Sequence, residues 1–402
     1  MKAEKQHIVI KGSGAISPLG HDAQSIAQSY SSGKPAFKTI VHQGKPTPVA
    51  ALPPEAEAQL QLLLQSNPNY KHLDRSVLMA VYAAQQAAEQ AGWLQQSTID
   101  HDLGVNIGSS RGATGLLEQH YTNFQQEKLS SGASPTTTLG NLSSWVAHAV
   151  NAGGAQISHS ITCSTALMAV ANAAAWLKAG MAKRFLAGGT EAPLTDFTIA
   201  QMKAVGIYSK LYDQPFPCQP YATAKQNTFV LGEGAAVFAL ELVHESELSP
   251  GTIVVESIGV GFEPIQSKTG ISAEGLNFQQ SMRHALQQLP DPNAAIDAVI
   301  THTPGTAAGD AAELHAIQAV FGADLPAVIT NKHLLGHTLG ASGALSIQFA
   351  LYLLQLTEKL KQYSFPYPTM AIVASPAGSV KRVMVNAAGF GGNSSSIILS
   401  VI

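Results

Sequence analysis

Cysteine is scarce in this chain: Cys163 and Cys218 are the only two among 402 residues. Two thiols cannot make the disulfide framework of a small secreted protein, so a reducing cytoplasm is the expected setting. Charge is scarce too. Lys, Arg, Asp and Glu make up 12% of the chain, about half the usual ~25%. The 23 basic and 26 acidic side chains leave a net charge of −3. With no basic excess to neutralise phosphates, nucleic acid is not expected as a partner. A hydrophobic fraction of 45% excludes intrinsic disorder, and a sparsely charged surface points to subunit contacts. Long apolar runs are missing as well. Ala166–Leu177 and Leu345–Leu356 are interrupted by Asn, Trp or Gln before the ~18 residues of a membrane span accumulate. The leading MKAEKQHIVIKGSG lacks the apolar core of a secretory signal.

What is present is an alternation of short apolar runs and Ala-rich helical stretches. Strands are expected at His7–Ile10, Leu103–Ile107, Arg184–Ala187, Val237–Leu242, Thr252–Ile258, Ala298–Thr301, Val383–Ala387 and Ser395–Val401. Helices are expected at Leu73–Gly92, Thr165–Lys178, Asn277–Leu289, Ala311–Val320 and Ala344–Leu356. This order gives an α/β fold with a helix-covered sheet. The strand and spaced glycines of Thr252–Gly261 echo those of Ile8–Gly14. The echo suggests two similar halves, 1–247 and 248–402, with the seam near Ser246–Gly251.

Three residues carry candidate chemistry. Cys163 lies in Ile161-Thr162-Cys163-Ser164-Thr165-Ala166, at the start of the Thr165–Lys178 helix. The positive helix end and its free N–H groups are expected to lower its thiol pKa below ~8.5. A buried inert thiol is the alternative reading, and a nucleophile needs a partner. Two histidines qualify, His302 and His337, each among loop glycines at the end of a regular element, where α/β folds place their sites. Zinc is set aside, because the spacings match no ligand pattern. Gly389-Phe390-Gly391-Gly392 fails as a phosphate cradle and reads as a tight turn with an aromatic free to swing.

Together these motifs resemble the β-ketoacyl synthases, the elongating condensing enzymes of the thiolase superfamily. The likeness begins at Ile8–Gly20 and runs through Gly188-Gly189-Thr190-Glu191-Ala192 and Phe229–Ala235. Thr162-Cys163-Ser164-Thr165 resembles the nucleophile segment. His302 with Gly305-Thr306, Gly309-Asp310 and Glu313 resembles the first histidine motif. Lys332 with Gly336-His337, Gly340-Ala341 and Gly343 resembles the second, and Gly389–Asn393 the gating loop.

The resemblance implies a five-layered α-β-α-β-α fold of two similar halves and a Cys163–His302–His337 triad. Cys163 would take an acyl chain from the phosphopantetheine arm of an acyl carrier protein. The N–H groups of Cys163 and Phe390 would form the oxyanion hole. The two imidazoles would hold the enolate left when a malonyl extender loses CO₂. Lys332 and Glu313 would be a supporting charged pair, and Phe390 a gate. Thr306, Gly389 and Gly391 would contact substrate. No cofactor or metal is implied. The partners implied are the carrier protein and either a second copy or a related ketosynthase or chain-length factor. Two departures stand out: Thr303-Pro304 after His302, where the family carries Gly-Thr, and Ala222–Thr228 in place of an acidic and basic run. They suggest a specialised polyketide or polyene pathway. The alternative is a non-catalytic chain-length-factor-like subunit, against which the presence of Cys163, His302 and His337 argues. A degradative thiolase is excluded, since no cysteine follows Cys218.

Overall fold

The structure, a computed structural model, describes residues 5–94, 98–264, 271–291, 294–356, 365–370 and 379–402; the first four residues of the N-terminal stretch read above lie outside these. The first half contains β1 (Gln6–Ile16), α1 (Ala23–Ser32), the β2–β3 hairpin (Lys38–His42, Lys45–Val49), α2 (Pro54–Ser66) and α3 (Arg75–Gln90). It continues with β4 (Leu103–Gly108), α4 (Thr114–Gln125), α5 (Ala133–Thr137), α6 (Asn141–Val150) and β5 (Gln156–Ile157). It closes with α7 (Thr165–Lys178), β6 (Arg184–Glu191), α8 (Asp196–Ala204) and β7 (Gly234–His244). The second half runs β8 (Ile253–Phe262), α9 (Leu276–Gln287), β9 (Ala298–Ile300), α10 (Ala307–Phe321) and β10 (Ala327–Ile329). Then follow α11 (Lys332–Leu335), α12 (Ser342–Gln355), β11 (Arg382–Gly389) and β12 (Asn393–Val401).

Ten strands form one hydrogen-bonded sheet in the order β10-β9-β11-β12-β8-β1-β7-β6-β4-β5. Its two ends mirror each other. In the first half, β1 pairs antiparallel with β7 and β7 with β6, after which β6, β4 and β5 run parallel. In the second, β8 pairs antiparallel with β12 and β12 with β11, after which β11, β9 and β10 run parallel. The two halves join where Ile8 and Val9 of β1 meet Val255 and Val254 of β8.

Side-chain alternation along these strands splits the core into three layers, because successive residues of a strand face opposite sides. On β7, Ala236, Phe238 and Leu240 face a central core with α7 and α12, while Ala235, Val237 and Ala239 face α3 and α6. On β11, Val383, Val385 and Ala387 face the same central core, while Met384 faces α9 and α10. Helices therefore lie outside, between and outside the two half-sheets, in the five-layered α-β-α-β-α arrangement.

The glycine echo has a packing cause. A Cβ on Gly12 or Gly14 would fall 2.3 Å from the Ala87 carbonyl oxygen or 2.1 Å from that of Ala83, both on α3. A Cβ on Gly259 or Gly261 would fall 1.9 Å from the Ser281 oxygen or 2.1 Å from that of Asn277, both on α9. In each half the first strand thus lets its outer helix lie against bare backbone. The same effect corrects the expected end of β6. Gly188 and Gly189 do not terminate the strand, which continues to Glu191, because Gly188 packs against the Ala236 carbonyl of β7.

Candidate active site

Cys163 sits in a tight turn before α7. The preceding Thr162 has φ +49°, a left-handed conformation unusual for a β-branched residue. The turn is held from several sides. Thr162 Oγ1 donates to the Ile161 carbonyl (2.8 Å) and to that of Phe390 (3.3 Å). Ser164 Oγ donates to Asn393 Oδ1, and Asn393 Nδ2 donates to the Phe390 carbonyl (3.2 Å). A Cβ on Gly389 would strike Thr162 Oγ1 and lie 2.9 Å from the Cys163 nitrogen, so the 389–392 loop can touch the turn only through glycine. Among the described residues, neither the Cys163 nor the Phe390 N–H finds an acceptor.

The two histidines arrive from the second half. His302 follows β9, and His337 follows α11. Their rings meet edge to face with centroids 5.0 Å apart, and Phe229 packs on His337 at 5.4 Å. His302 is fixed from behind: Glu313 on α10 accepts from the N–H groups of His302 (3.0 Å) and Thr303 (2.9 Å) and from Asn386 Nδ2 (3.2 Å). Burial first, and Lys332 second, push His302 down to about 3. Burial, His302 and Lys332 hold His337 well below the usual histidine range. Both rings are therefore neutral near pH 7. Among the described residues, the buried Nδ1 atoms of both have no hydrogen-bond partner.

One cavity of about 330 Å³ brings the pieces together. Cys163, His302, His337 and Phe390 line it, with Met202, Val205, Ile207, Phe229 and Leu339 forming an apolar wall. Pro304, Thr306, Asn227, Gly389 and Gly392 also border it. Gly392 rather than Gly391 lines the cavity. Gly391, at φ +102°, serves the turn. Phe390 is 42% exposed. Lys332 and Glu313 stand behind the histidines, and no direct ion pair joins them among the described residues. The Lys332 ammonium donates to Asn331 Oδ1 (3.2 Å) and Ser346 Oγ (3.1 Å), and burial pushes it down to about 8. Burial pushes Glu313 up to about 7 against the three N–H groups it accepts.

One expectation is overturned. The helix end does not make the Cys163 thiol acidic here. Burial pushes it up to about 12, the Glu191 carboxylate adds to the rise, and Arg111 and Lys332 offset only part of it. Two supporting residues carried no readable sequence signal of their own: Asn386 behind Glu313 and Asn227 at the cavity mouth. The Asp310 carboxylate accepts from the N–H groups of Tyr221, Gly305 and Thr306, and so shapes the loop that carries Pro304.

Two family models cover most of the chain: the β-ketoacyl synthase N-terminal domain matches residues 5–246 and its C-terminal domain residues 253–361. The chain belongs to the β-ketoacyl synthase family. Among curated relatives, a 3-oxoacyl-[acyl-carrier-protein] synthase 2 of Coxiella burnetii is 29% identical, with 99% of each chain covered. A putative polyketide β-ketoacyl synthase 1 of Streptomyces halstedii is 25% identical, with 98% of each covered. Among solved structures, a type II PKS acyl-carrier protein in complex with its ketosynthase matches with a TM-score of 0.84 at 20% identity, covering 99% of this chain and 100% of that one. A ketosynthase in complex with its chain length factor from Xenorhabdus doucetiae matches at 0.80 and 21% identity, covering 99% and 98%. These likenesses establish the ketosynthase fold. No helix among the described residues is long and apolar enough to cross a membrane.

Proposed function

We propose that the chain is a ketosynthase that elongates a fatty acyl, polyketide or polyene chain by decarboxylative Claisen condensation on acyl carrier proteins. The observation that carries this reading is the meeting of Cys163, His302 and His337 in one cavity beside two unpaired backbone donors. The Cys163 sulfur attacks the acyl thioester carbonyl. The pantetheine thiol leaves with the proton that the cysteine gives up, so one thioester is exchanged for another. The N–H groups of Cys163 and Phe390 receive the charge that builds on the carbonyl oxygen. The malonyl thioester then loses CO₂, and the electron pair of the broken C–C bond passes to the enolate. His302 and His337, neutral and in their Nε2–H tautomers, donate to that oxygen. The enolate carbon attacks the acyl-cysteine, and the cysteine thiolate departs.

In this reading Glu313 holds the His302 backbone, Lys332 supplies positive potential behind both rings, and Phe390 gates the cavity. Thr306 and Gly389, which border the cavity, contact the pantetheine arm. Residues 1–247 carry the nucleophile and 248–402 the histidines. The partners are an acyl carrier protein and a second subunit, either another copy or a related ketosynthase or chain-length factor. A reducing cytoplasm suits a reaction that needs a free thiol, and both cysteines are free.

Intact mass spectrometry after incubation with a panel of acyl-carrier substrates tests the proposal. The expected result is one acyl mass gained on Cys163, a β-ketoacyl product once malonyl-carrier is added, and neither with Cys163→Ala. Product formed by Cys163→Ala at near the wild-type rate overturns it.

A further inference from the structure

Glu191 ends β6 at the interface of the two halves, fully buried. Its carboxylate accepts four donors: Ser109 Oγ (2.9 Å), Ser110 N (2.8 Å), Arg111 N (3.1 Å) and Gly340 N (2.9 Å). Each oxygen takes two, which leaves no place for a proton and suits the ionised form. No cation pairs with it among the described residues, and the neighbouring Arg111 guanidinium donates to Gln201 instead (2.7 Å).

The fourth donor matters most. Gly340 follows Leu339, whose φ is +43°, a conformation an unbranched-backbone glycine takes easily and leucine does not. Leu339 lines the cavity and packs in one apolar cluster with Cys163, Phe229 and Met202. A Cβ on Gly340 would fall 2.6 Å from Glu191 Oε2 and 2.3 Å from the Ser110 nitrogen. The chain at 339–340 is therefore pressed onto the carboxylate, and the Leu339 side chain is thrown toward the thiol.

We infer that Glu191 is a positioning residue, which holds Leu339 in its left-handed bend as the cavity wall beside Cys163 and places a fixed negative charge behind the sulfur. The wall selects the acyl chain, and that part rests on the ketosynthase reading. That charge disfavours the thiolate form of Cys163. The groups acting on the sulfur are Glu191 from β6, Arg111 from the loop after β4, and Lys332 from α11, with the neutral His302 and His337 sharing its cavity.

Two measurements separate the parts. One is the pH dependence of Cys163 alkylation by iodoacetamide, read by intact mass with Cys163→Ser as the blank for Cys218. The other is the ratio of long-chain to short-chain acyl loading from carrier proteins. Glu191→Gln removes the charge and turns one acceptor into a donor. It should move the alkylation midpoint to lower pH, speed alkylation about tenfold below the midpoint, and change the loading ratio at least ~3-fold. Glu191→Asp keeps the charge but shortens the reach, so the midpoint should stay while the ratio shifts. Leu339→Ala should shift the ratio alone. A purely structural glutamate would lower stability without moving the midpoint. If Glu191→Gln does not fold, the Asp variant and Leu339→Ala still decide the wall. An unchanged ratio in either of these two variants overturns the positioning role. An unchanged midpoint in a folded Glu191→Gln overturns the charge. If no acyl donor loads the wild-type protein, the ketosynthase reading fails, while the alkylation curve still reports on Glu191.

Discussion

At the scale of single residues, burial sets the chemistry. His302 and His337 are kept neutral by loss of water, so each offers an N–H rather than a charge. Donors of this kind to a developing oxyanion are each worth on the order of 10²–10³ in rate. His302→Ala and His337→Ala should therefore slow malonyl decarboxylation at least ~100-fold while Cys163 still loads. Stopped-flow loading measured beside CO₂ release separates the steps, and equal collapse of both would contradict the division of work. The same burial reaches stability. His302 and His333 are pushed down to about 3, below the ordinary ~6.5 of the unfolded chain. The unfolded state then binds more protons below pH ~6.5, so their contribution is present above that pH and lost as pH falls toward 3. Asp310 and Glu313, pushed up to about 7 by burial, act in the opposite sense. The folded state holds their protons between about 4 and 7, so their contribution falls as pH rises through that window. Below about pH 4 these raised carboxyls no longer oppose the histidines, and the urea midpoint should drop steeply. His333→Phe removes one of them, so between pH 7 and pH 4 its stability should fall less, or rise more, than that of the wild type by about 3 kcal/mol.

At the scale of elements, the sequence was most readable where periodicity was long. The Thr165–Lys178 helix stands where the apolar period put it, because a helix buried on most sides needs nothing beyond its own pattern. Strand ends were harder. Glycines within β6 and β8 looked like terminators, yet they are points of close packing, a fact decided by the neighbouring strand or helix. The three-residue β10 is too short to show a period at all. The site was legible as motifs, but not its electrostatics: the helix start at Cys163 suggested an acidic thiol, and only the depth of burial reversed that. The loop before α10 shows how one element tests another. Pro304 borders the cavity and offers neither a hydroxyl nor an N–H to a pantetheine amide. One hydrogen bond worth roughly 0.5–1.5 kcal/mol is missing, so Pro304→Thr should lower KM for short acyl-pantetheine mimics about 2–10-fold with kcat little changed. The Asp310 carboxylate already fixes the backbone on the far side of Pro304, at Gly305 and Thr306. Loss of kcat with unchanged KM would show instead that the ring orients His302.

At the scale of the whole molecule, the two halves share what holds them together. The mirrored strand order gives each half a sheet of its own, which alone would allow separate folding. The central core argues otherwise. Leu167, Val170 and Phe238 of the first half and Leu345, Phe349 and Leu353 of the second belong to one apolar cluster around α7 and α12. Each central helix also packs across the seam, as α12 does on β7 and β6 besides its own β11, so the inner face of each half-sheet is buried partly by the other half. The site divides in the same way, with the thiol on one side and both imidazoles on the other, so a half that opened would lose the reaction as well as its core. The chain should unfold in a single transition. Leu353→Ala, at a fully buried position of α12, should cost about 2–5 kcal/mol. In a molecule of this size that lowers the midpoint of the one transition by a few degrees. Differential scanning calorimetry is the check. Equal calorimetric and van't Hoff enthalpies in both proteins are the expected result. Two resolved transitions, with only the later half displaced by Leu353→Ala, would show that the halves fold as separate domains joined at the β1–β8 pairing.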